Sequence, residues 1–182
     1  MKIKTTDTLL VTLVCLVLST QILFAKTAQE LDKEVDFAIE KFKHEVEGGA
    51  KFLSQIKGYL LFPSVVRGGL LLGGKYGKGA LRIGDKTKAY LSMSAFTLGL
   101  QLGVQKYSML IAFTTQSALK NFSKSNGFEI SLESSVSIGE WGASRDLSSM
   151  SFEKPIIIFV YGEKGVMAGV SLSGVRFEQI TP

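Results

Sequence analysis

From Ala28 onward, apolar residues recur at helical spacing. Ala28, Leu31, Val35, Ala38, Ile39, Phe42 and Val46 lie three or four positions apart, which puts them on one stripe of an amphipathic helix. Thr27-Ala-Gln-Glu30 before the stripe is a capping box, and Gly48-Gly49 after it is a stop. The polar face is acidic, so the stripe is expected to pack on the domain rather than on a membrane. Ala50–Lys57 predicts a second short helix with Phe52, Leu53 and Ile56 inward.

Beyond Gly58 the period drops to two and the glycines multiply. Tyr59–Phe62 reads as a strand that Pro63-Ser64 turns or kinks. Gly68–Gly74 and Tyr76–Ile83 read as strands on either side of Gly74-Lys75, Gly84-Asp85-Lys86 as a turn, and Lys88–Met93 as the next strand. Phe96, Leu98, Leu100, Leu102 and Val104 alternate with Thr97, Gly99, Gln101 and Gly103, which predicts one strand with an apolar face and a glycine face.

Tyr107–Phe113 is a buried strand. Thr115–Ser123 is a short helix with Ala118, Leu119 and Phe122 inward, and Asn126-Gly127 marks a turn. Phe128–Ile138 alternates as a half-buried strand. Gly139–Ser151 reads as a loop, and Pro155–Tyr161 is a continuous apolar strand paired in a hairpin with Val166–Ser173. Val175, Phe177 and Ile180 close the chain. The pattern predicts an α+β fold. Its sheet is mostly antiparallel, twisted or barrel-like, with N-terminal amphipathic helices and one short internal helix.

Composition adds class and compartment. With 182 residues, 46% apolar and 20% charged, the chain can bury the core of one domain. Lys2 and Lys4 precede an apolar run, Leu9–Leu18, and Leu23-Phe24-Ala25 offers a cleavage site. Residues 1–25 are therefore expected to be an export signal, with residues 26–182 forming a single domain in the periplasm or cell envelope. Cys15 is the only cysteine and falls within that signal, so the mature domain is expected to lack disulfides.

Charge is uneven. Lys26–Glu47 has 4 basic and 7 acidic residues, Gly48–Lys88 has 8 and 1, and Ala89–Pro182 has 7 and 7. The glycine-rich stretch is thus the basic part of a chain with formal net charge +5. Its cations are Lys51, Lys57, Arg67, Lys75, Lys78, Arg82, Lys86 and Lys88. They favour an acidic partner.

Catalytic chemistry is not indicated. His44 is the only histidine and sits on the acidic helix, so no serine has a histidine base and no nitrogen–sulfur metal site can be assembled. Gly79-Ala-Leu-Arg-Ile-Gly84-Asp85-Lys86-Thr87 is close to a P-loop, but Asp85 would face the phosphates and no helix is expected to follow. Ser54-Gln-Ile-Lys57 and Ser117-Ala-Leu-Lys120 lack companion residues. No enzyme activity, metal or cofactor is expected.

Four blocks, Phe62–Arg67, Gly73–Leu81, Gly99–Gly103 and Val166–Leu172, resemble the SYLF domain family in order across nearly the whole of 27–182. The resemblance implies a non-enzymatic lipid-binding module; eukaryotic members bind phosphoinositides and some bind actin. The expected function is association with anionic phospholipid through the eight cations, not with nucleic acid. The alternative is a structural or assembly role with a protein partner or a second copy, which the glycine-faced Phe96–Val104 segment would suit.

Overall fold

The computed structural model describes residues 26–69, 72–98, 103–124, 136–138, 147, 154–162 and 175–182. The expected export signal, the hairpin strand at 166–173, the 139–151 loop apart from Leu147, and most of the 128–138 strand lie outside the described residues.

Helix α1 (Ala28–Glu45) forms where the stripe predicts it. Thr27 Oγ1 accepts from the Glu30 amide at 3.2 Å, and the Glu30 carboxylate accepts from the Thr27 amide at 2.9 Å. This reciprocal cap satisfies two amides that have no partner within the helix. Leu31, Val35, Ala38, Ile39 and Phe42 are its buried stripe. Gly48 takes a positive φ of 75° and opens α2 (Gly49–Gln55).

Seven strands follow: β1 (Gly58–Gly69), β2 (Leu72–Ile83), β3 (Lys86–Leu98), β4 (Gly103–Phe113), β5 (Val136–Ile138), β6 (Ile156–Tyr161) and β7 (Val175–Ile180). Helix α3 (Gln116–Lys124) lies between β4 and β5. The spatial order is β5-β6-β4-β1-β2-β3-β7. Every pairing is antiparallel except that of the three-residue β5 with β6. Among the described residues the edge strands β5 and β7 do not pair, so the sheet is open rather than closed into a barrel.

Among the described residues, both faces of this sheet are covered over part of its length. On one face α1 and α2 press Phe42 and Phe52 against Phe159, each at a ring distance of 5.2 Å. The buried Tyr161 hydroxyl donates to the Ala38 carbonyl at 2.8 Å. On the other face α3 packs Phe122 on Phe113 at 5.0 Å, and Phe62 stacks on Phe177 at 5.8 Å. This double cover explains why β6 reads as an unbroken apolar run: all six of its residues are buried.

At Pro63-Ser64 the structure has the kink of the two readings, and at Gly74-Lys75 it removes the break. Pro63-Ser64 does not end β1. The register with both neighbouring strands slips there, so the proline sits in a bulge, where its missing N–H costs no ladder bond. Its carbonyl accepts from Ser108 Oγ at 2.9 Å. The bulge drives the β1 backbone into β2: a Cβ on Gly79 would collide with the Leu61 carbonyl and the Phe62 ring. Gly74-Lys75 likewise lies inside β2, which is continuous from Leu72.

The Phe96–Val104 alternation is not one strand. Phe96 belongs to β3 and Val104 to β4; these run in opposite directions with β2 and β1 between them. Nor is its apolar face buried at the ends, since Phe96 is 94% exposed and Val104 76%.

Candidate binding surface

The bulge in β1 shifts the alternation of side chains, and from there to the sheet's outer end the two faces become chemically distinct. On the α1 face, cross-strand partners build successive rows. The inner row is Ser64, Lys78 and Ser92. The next is Lys106, Val66, Tyr76 and Ser94. The outermost is Val104, Gly68, Gly74 and Phe96.

Phe96 and Val104 stand three strand spacings apart, about 14 Å, with two glycines between them. A methyl on Gly74 would meet only the Ala95 carbonyl, at 3.7 Å, so the trough floor is open. Val66 and Tyr76 are about half exposed at its inner end.

Helix α1 borders this surface. A cleft of about 440 Å³ runs between the helix and the β1–β4 pair, lined among others by Lys26, Lys33, Phe37, Lys41 and Lys106. A second cleft of about 230 Å³ leads from Lys26 and Ser64 to Val66, Tyr76 and Lys78. The Lys26–Glu34 ion pair, at 2.7 Å, lines both. Phe37 adds a further apolar side chain, 75% exposed. The result is an apolar trough with lysines at its inner, helix-side end.

The eight cations singled out by sequence do not form one patch. Lys51 is exposed on α2, and Lys57, Lys86 and Lys88 are exposed toward the opposite end of the sheet, where Gly58 meets Phe113 and Ile83 meets Lys86. Lys78 alone lies in the clefts beside the trough.

Arg82 is buried under α1, where its guanidinium donates to Asp32 at 3.1 Å and Asp36 at 2.8 Å. Asp32 also accepts from the hydroxyls of Thr87 at 2.8 Å and Tyr90 at 2.9 Å. Arg82 therefore joins helix to sheet.

Arg67 and Lys75 face each other across β1 and β2 on the α3 side of the sheet. Lys75 is only 8% exposed, and burial, then the charge of Arg67, pushes its amine below the usual lysine range.

Sequence reasoning missed Lys26, Lys33, Lys41 and Lys106 because the first three fall in the net-acidic Lys26–Glu47 segment. One signal was available. Phe37 is an aromatic residue outside the apolar stripe, on a face that should be polar. The expected lack of a P-loop agrees with the geometry. Gly79–Ile83 is strand, Gly84 turns at φ 58°, and β3 follows instead of a helix. Among the described residues no cluster of histidine, cysteine, aspartate or glutamate could hold a metal, and no helix is long and apolar enough to cross a membrane.

No curated protein matches this chain at a significant level. Residues 94–181, which run from the outer part of β3 through β7, match the family described as Ysc84, Las17-binding protein actin regulator. Of the four sequence blocks, Gly99–Gly103 and Val166–Leu172 fall within the match, and Phe62–Arg67 and Gly73–Leu81 precede it. This match over 94–181, just under half of the chain, is to the family of the SYLF domain, the same family that the four sequence blocks resemble.

Proposed function

We propose that this protein is a non-enzymatic module, exported to the cell envelope, that binds anionic phospholipid with the outer end of its sheet. The observation that carries the reading is the trough itself. Phe96, Val104, Tyr76 and Val66 are exposed on one face, and Lys26, Lys33, Lys78 and Lys106 line the clefts at its inner end.

An apolar surface left open beside cations matches the layering of a membrane, apolar below and anionic at the head groups. Burying Phe96 and Val104 would contribute about 1.5–3 kcal/mol each. Each lysine near an anionic surface would add about 1 kcal/mol. Lys51, Lys57, Lys86 and Lys88 would add only to the long-range attraction.

The family description is of a protein that binds Las17 and regulates actin. A protein partner or a second copy is therefore the competing occupant, and the flat glycine floor is what favours it.

Vesicle flotation decides. The exported protein should float with vesicles containing phosphatidylglycerol and should lose recovery as salt rises. Phe96→Asp combined with Val104→Asp should reduce binding by at least about tenfold. Equal recovery with neutral and anionic vesicles would sink the lipid reading. A stable dimer with no vesicle binding would favour assembly instead.

A further inference from the structure

One row of side chains on α1 has an order that a flat lipid surface does not use. Lys33, Phe37 and Lys41 are four residues apart, so they stand in line along one side of the helix. All three line the cleft between α1 and the β1–β4 pair. Each step of four residues rises about 6 Å. Phe37, in the middle, lies outside the buried stripe and is 75% exposed. Lys106, on β4, lines the sheet side of the same cleft.

Charge gathers here against the trend of the helix. Lys26–Glu47 is acidic overall, yet the cleft brings together Lys26, Lys33, Lys41 and Lys106 with a single carboxylate, Glu34. Lys26 already holds Glu34 at 2.7 Å. Lys41 reaches Glu45 at 3.6 Å along the helix, a partly exposed pair of the kind that contributes little. Among the described residues Lys33 and Lys106 have no ion pair.

We propose that this cleft binds an extended acidic segment of a partner protein, whose alternate side chains are acidic, apolar and acidic opposite Lys33, Phe37 and Lys41. An extended chain turns every second side chain to the same side and repeats after about 6.6 Å. The helix row repeats after about 6 Å, so over three side chains the mismatch is about 1 Å. The lysine stems can absorb that.

Shape and order both favour a peptide. The cleft, about 440 Å³, is a concave space between helix and sheet, and a flat bilayer rests on what projects. Phe37 between two lysines disfavours a polyanion charged at every unit. The second cleft continues past the Lys26–Glu34 pair to Lys78, which gives a longer acidic segment a path toward β2. None of this depends on the membrane reading, which rests on Phe96 and Val104.

Fluorescence anisotropy at low salt tests the site, with the purified protein and a labelled peptide in which glutamate, leucine and glutamate alternate with threonine. The peptide should bind saturably. Phe37→Ser, and Lys33→Glu combined with Lys41→Glu, should each weaken it at least about tenfold. Their urea midpoints should stay at the wild-type value, since Phe37 and Lys33 are exposed and Lys41 partly so. Replacing the peptide's leucine by serine makes the same test without touching the protein and should also cost about tenfold.

A peptide of the same composition with its glutamates and leucine consecutive should bind about tenfold more weakly. Equal affinity for the two peptides would mean plain charge attraction and overturn the proposal. So would inorganic polyphosphate bound equally by wild type and Phe37→Ser, which marks a general anion surface. The Phe96→Asp, Val104→Asp variant should keep the peptide while losing vesicles. If wild type floats but does not bind the peptide, the peptide site is wrong and the membrane reading stands. If it binds the peptide without floating, the site stands and the membrane reading falls.

Discussion

Arg82 and Arg67 belong to the same basic run and sit on neighbouring strands, yet they have opposite surroundings. Arg82 lies where α1 covers the sheet, and Asp32 and Asp36 of that helix neutralise it. Arg67 lies beyond the bulge, directly opposite Lys75, and among the described residues no carboxylate is ion-paired to it. Apolar residues divide the same way. Phe159 under α1 is 1% exposed, and Phe96 on the outer end is 94% exposed. At one end helix α1 neutralises the buried cation and covers the apolar side chains. The other carries exposed apolar surface at Phe96 and Val104 and places two cations, Arg67 and Lys75, directly opposite each other. The difference shows that a residue type in this sheet has no fixed meaning; the covering helix decides whether it serves stability or is left for a partner.

The strongest way to break this comparison is to truncate an aromatic side chain at each end. Phe159→Ala leaves a cavity between Phe42 and Phe52 and should cost about 3–5 kcal/mol in urea unfolding. Phe96→Ala should change stability by no more than about 0.5 kcal/mol while weakening vesicle recovery. A large destabilisation from Phe96→Ala would mean that the outer end is ordinary core, and the division would fail.

Arginine replacements sharpen the contrast at a smaller scale. Arg82→Met leaves Asp32 its bonds from Thr87 and Tyr90 but removes the cation between the two carboxylates. Breaking a buried pair costs several kcal/mol, but Asp36 is mostly exposed, so the loss should be about 1–2 kcal/mol. Arg67→Met should be neutral or slightly stabilising. Equal losses for the two would show that Arg67 has a structural partner after all.

These contrasts also mark what could be read from sequence. The capped helix, the buried β6 and the α3 stripe follow from local rules, because each pattern is complete within its own segment. Pro63-Ser64 reads equally as a turn or a kink, and Gly74-Lys75 as a break, because proline and glycine mark bulges as readily as turns; only pairing with the neighbouring strands shows the kink at Pro63 and the continuity through Gly74. The Phe96–Val104 alternation has period two throughout, so its sequence gives no sign of the reversal. Nor does a period say whether the apolar side is covered. Arg82 looked like its basic neighbours because its acidic partners lie 50 and 46 positions earlier. Charge counted along the chain gathered eight cations that the fold disperses, and it passed over the lysines that α1 brings to the trough.

The smallest effect is the most specific to the outer end, and it is a pH dependence. Burial and the Arg67 charge hold the Lys75 amine below its ordinary value of 10.5 in the folded protein. At neutral pH the folded state therefore carries a charge it disfavours. Between the lowered folded value and 10.5 the unfolded chain binds more protons, so this residue's contribution to stability rises with pH. The buried tyrosines Tyr59, Tyr107 and Tyr161, whose hydroxyls are pushed up by burial, act in the opposite sense as pH passes 10. A difference measurement removes them. The stability advantage of Lys75→Met over wild type should be about 1 kcal/mol or less at neutral pH and should shrink steadily as pH approaches 10.5. Arg67→Gln removes the lesser cause, so in that background the advantage of Lys75→Met should begin smaller. It should not vanish, because burial acts on Lys75 without Arg67. An advantage that stays constant with pH would mean that Lys75→Met acts through lost bulk rather than lost charge, and burial of the amine would not be what the variant relieves.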